Sequence, residues 1–263
     1  MKLSLEHGLG CAILYKGLFD YLLQNNLVDL IEYTIPPSDL RKEYPAEFQT
    51  TLLSTVEAIM DHPAIVQRQD TSYPTRTWKD IMRLFDIPLR VPLRIPALET
   101  ETLPLPGRYV TLNMKVTDVK RADLDGFLPI LLSVLRQSKY PIVLTGERAL
   151  TPCSEYDIHA ATMHSIYPII REQLPSAIDR TYPETKVANT LETLKTSAAL
   201  YQHATYNVLL NSSGGLTLTT VFGRMIALTT LACPTIHVLE LKNSIVAHTL
   251  ETFIQHVALA LLR

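Results

Sequence analysis

Residues 206–217 read YNVLLNSSGGLT: a short apolar run, then Asn-Ser-Ser-Gly-Gly, then the start of a helical pattern. Two adjacent glycines stand out in a chain of 263 residues that has nine in all. An apolar run, a glycine turn and a helix in succession describe a strand handing over to a helix in a parallel α/β sheet. The turn itself has two readings. Glycine adopts positive φ at little cost, so the pair can serve a tight turn, with Asn211 and the serines as a helix cap. Alternatively, the missing side chains let backbone N–H groups approach an anion. Ser212 and Ser213 then add hydroxyls, and the helix N-terminus adds unpaired donors and a positive dipole end.

The remaining glycines favour the second reading. Gly8, Gly10, Gly146, Gly214 and Gly215 fall at three places where a predicted strand gives way to a turn or helix. Ligands of open parallel sheets bind outside the carboxyl ends of the strands. Glycines gathered at such ends in both halves of the chain point to a ligand cleft. The dinucleotide fingerprint GxGxxG is absent, since Gly8-Leu9-Gly10 is not followed by a third glycine at the right step, and no Walker lysine follows a glycine run.

Working outward, KLSLE (2–6), HGLG (7–10), a helix over 11–24 and LVDLIEYTI (27–35) form a strand, turn, helix and strand, a βαβ unit. Helices are predicted over 50–61 and 77–86, and the prolines hold LRVPLRIP (89–96) extended. PALETETLPLPG (96–107) has no period and reads as a linker between an N-terminal lobe (1–100) and a C-terminal lobe (106–263). Alternation then restarts with RYVTLNM (108–114), a helix over 126–138 beginning near Asp125 or Gly126 because of Pro129, and YPIVLTG (140–146). A helix over 156–173, broken near Pro168, follows; then a helix from Asn189 to about His203 with Glu192 completing a capping box. After YNVLL come a short helix over 216–223, the strand RMIALT and a last helix capped by Ser244.

Composition narrows the classes. A 47% hydrophobic and 19% charged chain has the makings of a sizeable core. A net charge of −2 leaves no electrostatic footprint for nucleic acid or an anionic membrane. Cys11, Cys153 and Cys233 fit neither a disulfide framework nor a zinc spacing, which suits a reducing, cytoplasmic setting. No stretch has the form of a signal peptide or the length of a membrane span, so the expectation is a soluble protein.

YVTLN followed by Lys115, YPIVLTGER, and TLETLKTSAALYQHATYNVLLNSSGGLTLTTVFGRMIAL together resemble the donor domain of GT-B glycosyltransferases, and heptosyltransferase-like enzymes in particular. The resemblance covers about residues 106–230. It implies two Rossmann-like α/β lobes facing a central cleft, with the acceptor on the N-terminal side. By position it implies that Lys115 neutralises donor phosphate and that Thr145, Gly146 and Glu147 line the nucleotide pocket. Thr190 and Leu191 would lie beside the base, and Asn211, Ser212, Ser213, Gly214 and Gly215 would cradle the pyrophosphate. Related enzymes follow the first-strand glycine with a catalytic Asp. Cys11 and Ala12 stand there in this chain, and Glu6 and His7 are the nearest replacements.

The expectation is therefore sugar transfer from a nucleotide-diphosphate sugar to a carbohydrate or glycoconjugate hydroxyl, with Glu6 or His7 as base. No cofactor beyond the donor substrate is expected. No metal is expected either, since lysine and helix ends can hold the leaving charge. The alternatives are a sugar-nucleotide epimerase, whose fold carries a similar Ser-Gly-Gly turn, and a catalytically silent nucleotide-sugar-binding protein. Arg121 and Arg148 are further phosphate candidates weighed against exposed surface positions. Trp78 and Tyr73 are weighed as sugar-stacking rings against core roles, His159 and His164 lack metal-ligand spacing, and Cys11 lacks a placed partner for a nucleophilic role.

Overall fold

The computed structural model describes residues 1–5, 9–35, 46–69, 72–87, 95–99, 105, 107–117, 119–150, 164–210, 222–228 and 244–262. The N-terminal part is built from β1 (Lys2–Ser4), α1 (Leu9–Gln24), β2 (Ile31–Thr34), α2 (Ala46–Ile59), β3 (Ile65–Gln67) and α3 (Trp78–Leu84). Its three strands form a parallel sheet in the order β1-β2-β3, with Lys2 opposite Glu32 and Ile31 opposite Ile65. Leu14, Leu18, Phe19 and Leu22 of α1 close its core together with Leu3, Ile31 and Tyr33. A capping box fixes the start of α3: Thr77 Oγ1 accepts the Asp80 N–H and Asp80 accepts the Thr77 N–H.

A 3-10 turn at Pro96–Leu98 precedes the second group. It comprises β4 (Val110–Asn113), β5 (Lys115–Val116), α4 (Arg121–Arg136), β6 (Ile142–Thr145), β7 (Glu147–Ala149), β8 (His164–Ser165), α5 (Tyr167–Gln173), β9 (Ile178–Asp179), β10 (Tyr182–Glu184), α6 (Thr185–Ala188), α7 (Leu191–His203), β11 (Tyr206–Leu210), β12 (Met225–Leu228), β13 (Ile245–Ala247) and α8 (Leu250–Leu262). Six of these strands make one parallel sheet in the order β13-β12-β11-β4-β6-β9. Two small pairs flank it, β5 with β8 antiparallel and β7 with β10 parallel.

Alternation within the strands sorts the two faces of this sheet. Val110, Leu112, Leu144, Val208, Leu210 and Ile226 join α4, α5 and α8 in one core. Tyr109 and Val143 face the other way onto Leu200 and Ala204 at the end of α7. Strands covered on both faces read as nearly continuous apolar runs, and for that reason YVTLN, IVLT and YNVLL are legible. The far side of α7 meets the N-terminal part: Leu194, Ala198 and Tyr201 cluster with Ile13, Ile59, Ile95 and Leu98. Thr55 Oγ1 also donates to the carbonyl of Asn189 at 2.9 Å.

Several boundaries differ from the sequence reading. The helix expected over 126–138 runs Arg121–Arg136 with Pro129 inside it. An interior proline costs about 3 kcal/mol, but the six buried residues from Leu124 to Leu135 each contribute roughly 1.5–3 kcal/mol, so burial prevails. Residues 164–165 form β8 rather than part of a helix, and Pro168 lies in the first turn of α5, where its missing N–H leaves no bond unmade. The cap of α7 is Thr190, which accepts the Thr193 N–H, not Asn189 with Glu192. The last helix starts at Leu250, not after Ser244. Ile245–Ala247 instead extend the sheet beside β12, and Thr249 Oγ1 accepts the Thr252 N–H. β3 was not expected at all. The expected extended run at 89–96 and helix at 216–223 lie almost wholly outside the described residues.

Candidate functional site

Chain order in the six-stranded sheet runs outward in both directions from its centre: β4, β6, β9 one way and β11, β12, β13 the other. The direction of winding therefore reverses between β4 and β11. Crevices of open parallel sheets form outside the carboxyl ends at such a reversal. Here those ends are Asn113 of β4, Leu210 of β11 and, one strand over, Thr145 of β6.

Immediately beyond β4, Lys115 begins β5, and immediately beyond β6 and the Gly146 turn, Glu147 begins β7. The two turns are bonded together. Met114 N–H donates to the Thr145 carbonyl at 2.8 Å, and Ser165 Oγ donates to the Glu147 carbonyl at 2.9 Å. Lys115 Nζ lies 3.8 Å from Glu147 Oε1, and the side chains are 13% and 11% exposed. A cation and a carboxylate thus stand largely sheltered beside the reversal. The ammonium can donate to phosphate oxygens and the carboxylate can accept from hydroxyls.

A buried polar layer lies beneath them. The Lys115 N–H donates to Asn113 Oδ1 at 3.0 Å, and Asn113 Nδ2 donates to the Tyr201 hydroxyl at 3.1 Å. The same hydroxyl lies 3.5 Å from Thr145 Oγ1, which in turn lies 3.4 Å from the Leu112 carbonyl. Burial pushes the Tyr201 phenol up to about 12, so it stays protonated and keeps its donor. Gly146 has φ +82°, and a Cβ there would come within 2.9 Å of Asn113 Oδ1. Glycine is needed for both reasons. Deeper still, Asn207 accepts from Thr111 Oγ1 at 2.6 Å and donates to the carbonyls of Tyr201 and Arg224.

The structure brings Lys115, Thr145, Gly146 and Glu147 together at the strand ends. The Thr145 side chain is buried among Tyr201 and Leu112, so it acts inside the layer. Thr190 is occupied as the cap of α7, and Leu191 packs against the cluster shared with the N-terminal part. Glu6, His7, Asn211, Ser212, Ser213, Gly214 and Gly215 lie outside the described residues, as does His159. Arg121 pairs with Asp125 on the exposed face of α4. Arg148 stacks on Tyr167 and bonds Thr181 and Asp179, and Tyr167 also donates to Asp179. Trp78 is core, Tyr73 lies under Lys2, Cys11 borders the N-terminal core, and His164 belongs to β8. Asn113, Tyr201 and Asn207 were not singled out from sequence. For Asn113 and Asn207 the available signal was a polar side chain within strands that are otherwise apolar on both faces; Tyr201, in α7, carried no such signal.

Among the described residues no group of three or more His, Cys, Asp or Glu side chains is arranged to hold a metal ion. Among the same residues no helix is long and apolar enough to cross a membrane.

No protein-family model matches the chain, and no curated protein matches it. Solved structures do. The dodecameric iron-containing heptosyltransferase TibC, solved with ADP-D-β-D-heptose, superposes with a TM-score of 0.55 at 12% identity, covering 94% of this chain and 63% of that one. A second structure of TibC, from enterotoxigenic E. coli, gives a TM-score of 0.54 at 12% identity and covers 94% and 62%. A glycosyl transferase family 9 protein from Veillonella parvula gives 0.51 at 12% identity and covers 98% and 88%. This chain therefore spans a little under two thirds of the length of TibC. Its fold is that of heptosyltransferase-like glycosyltransferases.

Proposed function

We propose that this chain transfers a sugar from a nucleotide-diphosphate donor to an acceptor hydroxyl. The observation that carries the reading is the Lys115–Glu147 pair, set beyond the carboxyl ends of β4 and β6 beside the reversal of the sheet. The fold it shares with TibC, which was solved with an ADP-sugar, supports a donor of this class. In this reading the Lys115 ammonium lies against the diphosphate and Glu147 accepts from donor hydroxyls. Asn211 to Gly215, which directly follow β11, supply backbone N–H groups.

The reaction is a displacement at the anomeric carbon. The acceptor oxygen forms the new glycosidic bond as the bond to the diphosphate breaks. The acceptor proton passes to Glu6 or His7, which follow β1 in the sequence, and Lys115 and the turn stabilise the departing charge. The N-terminal part holds a carbohydrate or glycoconjugate acceptor across a cleft between two lobes, the reaction takes place in the cytoplasm, and the donor is a substrate rather than a resident cofactor.

A second reading, a nucleotide-sugar-binding protein without turnover, is favoured by Cys11 and Ala12 standing where related enzymes carry their Asp. Thermal shift with ADP, GDP, UDP and CDP tests the common ground. At a hundredfold excess over Kd the matching diphosphate stabilises by about 2.7 kcal/mol, roughly 5–10 °C in Tm. Donor consumption that requires an acceptor selects transfer, and binding without consumption selects the silent protein. No shift with any of the four diphosphates removes both readings.

A further inference from the structure

Tyr201 belongs to two environments at once. Its ring lies in the apolar cluster with Ile13, Ile59, Ile95, Leu98, Leu194 and Ala198, which joins helices of the N-terminal part to α7. Its hydroxyl ends in the polar layer below the strand ends, 3.1 Å from Asn113 Nδ2 and 3.5 Å from Thr145 Oγ1. Its own carbonyl accepts from Asn207 Nδ2 at 3.0 Å, which ties it to β11 as well. The side chain is 2% exposed, so it does not itself face a ligand.

Resting on the donor-binding reading above, we infer that Tyr201 is a positioning residue for the diphosphate site, acting through Asn113 on Lys115. The chain of contacts is short. The cluster sets the ring, the hydroxyl accepts from the Asn113 carboxamide, and that carboxamide, fixed in its flip state, offers Oδ1 to the Lys115 N–H. A Cβ at Gly146 would meet the same carboxamide at 2.9 Å, so the glycine is what lets the neighbouring turn that carries Glu147 run beside it. Without the phenol oxygen, Asn113 Nδ2 loses its acceptor in a buried site. The carboxamide then gains an incentive to rotate, which releases the turn at Lys115. The inference also makes the seat of the N-terminal helices part of the definition of the donor site.

Tyr201→Phe keeps the ring in its cluster and removes only the hydroxyl. Amide hydrogen exchange at Lys115 reads the turn directly and needs no ligand. It is expected to quicken about tenfold, the equivalent of one neutral hydrogen bond, while amides of β11 and β12 exchange as before. Affinity for the tightest of ADP, GDP, UDP and CDP is expected to fall by about the same factor, with affinity for the corresponding nucleoside unchanged. Asn113→Ser, which removes the carboxamide from the other side, is the second variant should the first fold poorly, with the same two effects expected. Unchanged exchange at Lys115 overturns the inference whatever the ligands do. Faster exchange with an undiminished diphosphate affinity also overturns it, since the layer would then be structural only. Wild-type protein that binds none of the four diphosphates refutes the donor-binding reading instead, and the exchange result still decides whether Tyr201 sets the turn.

Discussion

Lys115 and Glu147, on turns that leave two neighbouring parallel strands, face each other at 3.8 Å with nearly nine tenths of each side chain sheltered from solvent. Their attraction is neither that of a fully screened surface pair nor that of a dry buried one. A phosphate arriving beside Lys115 would compete with Glu147 for the same ammonium, so removing the lysine is the most direct test of the site.

Lys115→Ala is expected to weaken binding of a nucleoside diphosphate by about 1.5–3 kcal/mol, the worth of a hydrogen bond to a charged group. Binding of the nucleoside alone should change far less. Calorimetry with both ligands separates the two. Equal losses would mean that the lysine does not contact phosphate.

Gly146→Ala is expected to cost stability regardless of any ligand. The backbone has φ +82°, and the new Cβ would meet the Asn113 carboxamide at 2.9 Å. Left-handed strain in a non-glycine residue is worth on the order of 1–3 kcal/mol, roughly 2–12 °C in Tm for a chain of this size. Urea unfolding measures it. Wild-type stability in the variant would contradict the geometry of the turn.

Burial sets an alkaline limit. It holds the Tyr33 phenol far above the ordinary range, with Glu57 adding to the effect, and raises those of Tyr109 and Tyr201 to about 12. A raised folded-state value contributes stability that is fully present below the unfolded value near 10 and is lost as the pH rises through the folded value. Urea midpoints should therefore fall steadily from about pH 10 toward 12. The slope should be shallower in Tyr201→Phe, and identical slopes in the two proteins would show that this phenol does not titrate with unfolding.

The glycine pair that follows β11 in the sequence is open to a direct test. Gly214→Val should abolish binding of the nucleotide-sugar donor, because a branched side chain obstructs close approach of backbone donors. Ser213→Ala should cost only about 0.5–3 kcal/mol of binding. A valine variant that melts normally and still binds the donor would leave the turn a purely structural role.

What could be read from the sequence follows from how far each signal reaches along the chain. The β1-α1-β2 unit and the strands YVTLN, IVLT and YNVLL are local: apolar runs bounded by glycine or polar punctuation, buried on both faces. Gly146 was reachable because it stands one position past such a strand, and Lys115 and Glu147 were reached through the resemblance of these strands to GT-B donor domains. Asn113 and Tyr201 were not, since they are 88 residues apart in sequence and only the crossing of α7 beneath β4 makes them neighbours. Local rules also misplaced the ends of elements where tertiary burial decided the matter, as at Pro129 inside α4 and at Ile245–Ala247, which joined the sheet.

The position of α7 bears on how the polypeptide can be divided. One side of this helix backs the six-stranded sheet and the other is filled by Ile13, Ile59, Ile95 and Leu98. A fragment cut between residues 99 and 107 would leave Leu194 and Ala198 facing water on one piece and Ile13 and Ile59 on the other, and would break the hydrogen bond from Thr55 to the Asn189 carbonyl. Each piece alone would expose adhesive apolar surface, while the two produced together in one cell would have a matching seam to rejoin. The chain is thus suited to complementation by split fragments rather than to harvesting either portion by itself.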